Sequence, residues 1–159
     1  MNAPISVDVQ IACQAASVPG DDWIRSWVVA AIKGMSDEIA IEVSVRIVDE
    51  EEGRQLNRQY RGQDTATNVL SFPADDGDVP ALPADVPRSL GDIVICGQIV
   101  EREAAEQGKA VADHWAHMLV HGSLHLLGYD HEVSEEAEAM ETLERQILAA
   151  QGVGDPYAV

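Results

Sequence analysis

His121, His125 and His131 stand at i, i+4 and i+10 within the run His121-Gly122-Ser123-Leu124-His125-Leu126-Leu127-Gly128-Tyr129-Asp130-His131. At 3.6 residues per turn the first two imidazoles fall about 40° apart around a helix, so both rings reach one point. Gly128 sits where a left-handed cap would stop that helix and return the chain, bringing the third imidazole alongside. Three histidines leave one vertex of a tetrahedral zinc ion open, as in a catalytic rather than a structural site. The expectation is one zinc ion per chain, held by His121, His125 and His131. All-imidazole ligation suits zinc best, and nickel or copper next.

The same helix carries more than two histidines. His114, His117, His121 and His125 share an arc of roughly 80°, and with His131 they are all five histidines of the chain. A helical triple of His117, His121 and His125 is the competing ligand set. It is the weaker one, because its outer pair lies about 12 Å apart along the axis, too far to share a coordination sphere of ~2 Å radius. His117 is therefore expected beside the ligands or near substrate, and His114 is given no role. Asp130, next to the third ligand, either orients an imidazole through its other ring nitrogen or serves the turn itself.

Such a zinc ion acidifies bound water and polarises a substrate oxygen, which is hydrolytic chemistry. The spacing equals that of the long metzincin-type protease motif, but Gly122 replaces the glutamate that follows the first histidine there. Amide hydrolysis suffers most from that loss, since its leaving amine must be protonated. A phosphodiester chiefly needs cations around its equatorial oxygens. The residues thus favour phosphoester cleavage over proteolysis. Arg54, Arg58 and Arg61 form a stripe at i, i+4 and i+7. Arg54, expected to pair with Glu50, and Arg58 read mainly as a solvated helix face, whereas Arg61 enters a polar loop and is the candidate catalytic cation.

The elements that must position these groups are legible in outline. Ile5, Val7, Val9 and Ile11 alternate with polar residues as in a half-buried strand, as do Ile41, Val43, Val45 and Ile47. Asp21 or Asp22 is placed as the cap of a helix running to about Lys33 and ending at Gly34, with a short charged helix over 50–60. Thr67 to Phe72 reads as a third strand. The apolar run Leu90 to Cys96 reads as a fourth, buried on both faces. A turn-rich acidic tract between Pro73 and Pro87, with Asp75, Asp76, Asp78 and Asp85, reads as an exposed loop. Helices follow over 98–107, over 111–127 (the histidine-bearing central one) and from Ser134, with Met140, Leu143, Ile147 and Ala150 on one side. The expected fold is α/β (or α+β): a single sheet of about four strands packed with helices, over 1–159 as one metallohydrolase domain. Strand order and direction are not readable.

Charge and composition restrict the partners. Twenty-eight acids against 10 bases give a net charge of −18, which repels polyanions and anionic membranes on average. No apolar run nears the ~18 residues that span a bilayer, and Met1-Asn2-Ala3-Pro4 does not open a secretory signal. Cys13 and Cys96 fit no metal or redox spacing and read as reduced thiols, so the expected compartment is the cytoplasm.

With these residues in view, the chain resembles the YbeY family of bacterial rRNA maturation endoribonucleases. The family signature H-G-x-L-H-L-x-G-Y-D-H is met at every specified position from His121 to His131. The resemblance extends to Leu56-Asn57, Tyr60-Arg61, Asp64, the run Thr67-Asn68-Val69-Leu70-Ser71-Phe72-Pro73, the run Leu90-Gly91-Asp92-Ile93-Val94-Ile95, and Asp155-Pro156-Tyr157. It implies a zinc-protease-like architecture without the protease glutamate, zinc at His121, His125 and His131, and a catalytic or RNA-positioning role for Arg61. It further implies cleavage of single-stranded RNA, maturation of the 3′ end of small-subunit ribosomal RNA, and a part in ribosome quality control. One departure is Ala66, where such proteins usually carry proline. The acidity then reads as a small cationic pocket of zinc, Arg61 and Arg58 inside a repelling surface, with ribosomal partners selecting the RNA and DNA not an expected substrate. The rivals are a non-catalytic, metal-stabilised ribosome assembly factor and, disfavoured by Gly122, a zinc metalloprotease.

Overall fold

The computed structural model describes residues 5–33, 40–74, 88–129 and 134–157. Four strands, β1 (Ile5–Ala12), β2 (Ile41–Val48), β3 (Val69–Pro73) and β4 (Arg88–Cys96), form one sheet in the order β1-β2-β4-β3. The first three in that order run parallel, and β3 closes the edge antiparallel to β4. Five helices accompany them: α1 (Asp21–Ile32), α2 (Glu50–Arg61), α3 (Gly97–Gln107), α4 (Val111–Leu126) and α5 (Ser134–Ala150). The α/β expectation holds, and so does the number of strands among the described residues.

Alternation decides what each face of the sheet covers. Val43, Val45 and Ile47 of β2 and Ile93 and Ile95 of β4 join the main core with α1 and α4, including Trp27, Trp115, Leu119 and Leu124. The other face of β4 contributes Val94 and Cys96, which with Val48 and Leu70 form a smaller cluster bordered by Leu56 of α2. Central β4 is thus buried on both faces, as its unbroken apolar run requires. Helix α4 packs against α1, α3, α5, β3 and β4 at once. That explains why it is apolar around most of its circumference, and why a histidine on it can meet groups from several elements.

Several local expectations need correction. Gly20, not Asp21 or Asp22, is the N-cap of α1; both aspartates lie in the first turn, where their charge faces the positive helix end. Ile11 is exposed at 47%, and its neighbours Gln10 and Ala12 at the end of the edge strand β1 are exposed as well. Helix α2 continues one residue further, to Arg61, and stops at Gly62 in the left-handed conformation, φ 70°. Arg54 pairs with Asp64 (2.8 and 3.2 Å) rather than Glu50, whose partner is Arg102 of α3. Strand β3 begins at Val69 rather than Thr67; Asn68 just before it accepts the Cys96 N–H on its carbonyl at 3.0 Å and the Val69 N–H on its side chain at 2.6 Å. On α5 the buried stripe is Met140, Glu144 and Leu148, while Ala150 is exposed. The acidic tract around Asp75, Asp76, Asp78 and Asp85, the Gly34 stop, Asp130 and His131 lie outside the described residues.

Candidate active site

His121 and His125 lie one turn apart near the end of α4, and their Nε2 atoms are 3.1 Å apart. Ligands at about 2.0–2.1 Å in a tetrahedral shell are separated by roughly 3.3 Å, so the two rings converge as a zinc ion requires. The helix then ends in a Schellman turn. Gly128 (φ 100°) donates its N–H to the His125 carbonyl at 3.0 Å, and Tyr129 donates to the Leu124 carbonyl at 3.2 Å. The left-handed stop expected at Gly128 is present, and it turns the chain at the edge of the histidine pair.

That pair lines a cleft of about 820 Å³ between α4 and β3. Arg61 and Tyr60, from the end of α2, line the same cleft, with Asn68, Ser71 and Tyr129. Among the described lining residues there is no aspartate or glutamate. The contrast is a second hollow of about 570 Å³, where Arg46, Glu52 and Asp92 are among the lining residues.

Arg61 is exposed, and its placement depends on the turn behind it. Gly62 closes α2 with its N–H on the Arg58 carbonyl at 3.1 Å. Asn57, only 2% exposed, donates from Nδ2 to the Thr65 carbonyl at 2.7 Å, and Arg54 holds Asp64 with two bonds. These contacts restrain the loop that Ala66 would otherwise leave looser than proline. Arg58 does not line the cleft. It lies near Asp64, whose carboxyl is held below the usual range, first by the bond from Arg54 and to a smaller degree by the Arg58 charge.

His117 does not reach the cleft either. It is buried, and its Nε2 donates to Glu144 Oε2 at 2.9 Å. Glu144, 0% exposed, also accepts from His121 Nδ1 at 2.5 Å on Oε1 and from the Tyr157 hydroxyl on Oε2. Burial alone would raise the Glu144 carboxyl, but the hydrogen bonds from His117, His121 and Tyr157 outweigh it and hold it down to about 2. Burial and then the adjacent carboxylate push the Tyr157 phenol above its ordinary value. Ligand atoms of His117, His121 and Glu144 lie within 4.8 Å of one another, so this group too could bind a metal. His121 is common to it and to the cleft pair.

Glu144 was not singled out by sequence reasoning, although its position carried a signal: a carboxylate four residues from both Met140 and Leu148 interrupts an apolar stripe. His114, given no role, is buried and 2.9 Å from Glu103, which also accepts from Asn68 Nδ2 at 3.1 Å. That series links the core to a cleft residue. Gly122 faces the sheet: a Cβ there would come within 2.9 Å of Ile93 Cγ2 and 3.1 Å of Val69 Cγ2. Strands β3 and β4 occupy the space that a protease glutamate would need.

A family model described as Endoribonuclease YbeY matches residues 10–152. The chain belongs to the YbeY endoribonuclease family. Relatives named Endoribonuclease YbeY include one from Xanthomonas axonopodis pv. citri, 53% identical over 98% of this chain and 96% of its own. Others come from Pseudomonas putida (54% identical, 97% and 94% covered) and Halorhodospira halophila (56%, 89% and 90%). Among solved structures, that of TM1509 from Thermotoga maritima is similar with a TM-score of 0.53 and 27% identity, covering 95% of this chain and 99% of that one. No described helix of this YbeY-family chain is long and apolar enough to cross a membrane.

Proposed function

We propose that this chain is a zinc-dependent, single-strand-specific endoribonuclease acting in maturation of the 3′ end of small-subunit ribosomal RNA and in ribosome quality control. One observation carries the reading: on a chain of net charge −18, the cleft holding His121, His125 and Arg61 has no carboxylate among its described lining residues. A polyanion approaching elsewhere meets repulsion, and at this cleft it meets an arginine and two imidazoles. The converging Nε2 atoms of His121 and His125 would hold the zinc ion together with His131. The buried His117–His121–Glu144 group is the poorer site for catalysis, because Glu144 is shut away from solvent and already accepts three hydrogen bonds.

Bound zinc would supply a Lewis-acid charge at a phosphate oxygen. Arg61 would hold a second oxygen through its planar fork and stabilise the charge that builds up as the bond breaks. Tyr60, 61% exposed beside Arg61, offers a ring on which an unpaired base can stack, which favours a single strand over a duplex. The weak general attraction for RNA expected at this charge leaves selection to the small ribosomal subunit. In this reading residues 1–159 act as one metallohydrolase domain in the cytoplasm.

The test compares the wild-type protein with Arg61→Ala and His125→Ala, measuring bound zinc and cleavage of a single-stranded RNA. Arg61→Ala should keep its zinc and lose cleavage by about a hundredfold or more. His125→Ala should lose zinc, activity and thermal stability together, since ligation contributes to folding. Unaltered cleavage by Arg61→Ala would reject the catalytic role of Arg61, and a zinc-loaded wild type that cleaves no single-stranded RNA would favour a non-catalytic assembly role.

A further inference from the structure

We infer that Glu144 and Tyr157 are positioning residues for the metal-binding imidazole of His121, so that the turn at residues 155–157 governs how tightly the cleft holds its cation. This rests on the reading of His121 and His125 as ligands. An imidazole ligates through one nitrogen, and the hydrogen bond made by the other nitrogen selects which. A carboxylate only accepts, so the 2.5 Å contact of Glu144 Oε1 fixes the proton on His121 Nδ1. The Nε2 lone pair is thereby presented toward the cleft, 3.1 Å from the Nε2 of His125.

Glu144 can do this only if it is itself held. A fully buried carboxylate is costly unless its lone pairs are occupied, and here Oε2 takes bonds from His117 Nε2 and the Tyr157 hydroxyl. Tyr157 arrives on a turn fastened from two sides. Asp155 accepts from Arg145 Nε at 3.1 Å and from the Tyr157 N–H at 2.8 Å, and the Arg145 guanidinium sits 5.2 Å from the Tyr157 ring centre. From the loop before α4, Lys109 Nζ donates to the Pro156 carbonyl at 2.8 Å. A continuous series thus runs from this turn through the phenol and the carboxylate to the ligating ring. His117 belongs to the same series and has no need to touch substrate.

The experiment titrates the intact protein with Zn²⁺ or Co²⁺ against a competing chelator for wild type, Glu144→Gln, Tyr157→Phe and His125→Ala. Nitrogen NMR of the metal-free wild type reads the His121 tautomer. Glu144→Gln should weaken cation binding about 10- to 100-fold, the usual cost of removing such a partner. Tyr157→Phe, which keeps the ring in place, should weaken it several-fold, and because it removes a hydrogen bond to a buried carboxylate it should also lower the metal-free melting temperature. His121 should carry its proton on Nδ1. If His125→Ala loses the cation while Glu144→Gln and Tyr157→Phe bind it normally, the positioning role is overturned and the ligand assignment stands. A proton on Nε2 of His121 also overturns it. If His125→Ala binds normally and Glu144→Gln does not bind, the cation sits among His117, His121 and Glu144. The ligand assignment itself then fails.

Discussion

The Ser71 hydroxyl donates a 3.0 Å hydrogen bond to the Gly122 carbonyl, joining β3 to α4 one residue beyond His121. Strand and helix meet closely here because Gly122 has no side chain. Gly122→Ala should therefore destabilise the fold. The helix-propensity gain of about 1 kcal/mol is outweighed by an overpacking cost of roughly 1–3 kcal/mol, since Ile93 and Val69 must both shift. Thermal melts of the metal-free protein should show a lower midpoint. Gly122→Glu should be worse and should not create peptidase activity, so a folded variant that hydrolyses casein would refute this packing argument.

Asn57 should control Arg61 from beneath. Asn57→Ala removes the bond to the Thr65 carbonyl and opens a gap in a buried position. The expected loss is about 1–3 kcal/mol in urea unfolding. At temperatures where the variant is fully folded, cleavage should still fall, because the turn behind Arg61 loosens. Normal cleavage by a destabilised variant would show that Arg61 does not depend on this turn.

Burial lowers the His114 pKa, and the Glu103 carboxylate only partly opposes it. The unfolded chain thus takes up this proton more readily than the folded one. The corresponding stability is complete above the unfolded value of about 6.5 and is lost as pH falls below it, by at most about 1.4 kcal/mol per pH unit. His114→Gln, which can still donate to Glu103, should flatten the stability profile below roughly pH 6.5. An equally steep profile in the variant would assign the acid sensitivity to other groups.

Tyr60 packs at 5.1 Å against Phe72, yet it is largely exposed and is one of the residues lining the cleft. Removing the ring should weaken binding of a single-stranded RNA by about 1–3 kcal/mol, as for other base-stacking aromatics. Tyr60→Ala should accordingly raise KM with a smaller change in kcat, and Tyr60→Phe should restore it. A kcat loss with unchanged KM would point to Tyr60 acting on the reacting groups instead.

The arrangement of the ligating helix was readable from the chain because it is a local property. The i, i+4 spacing fixes the angle between His121 and His125, and Gly128 permits the left-handed stop. Period-2 alternation likewise located β1 and β2, and the unbroken run of β4 announced burial on both faces. Spacing says nothing about which nitrogen of a ring faces outward, or about what lies across the core from it.

Those questions were decided by packing between distant segments. Glu144 meets His121 because α5 lies against α4. Arg61 enters the cleft because α2 ends there at Gly62, and Gly122 is small because β3 and β4 lie beneath it. Sequence periodicity identifies the face an element presents, and the assembled sheet and helices determine which residues from elsewhere share it.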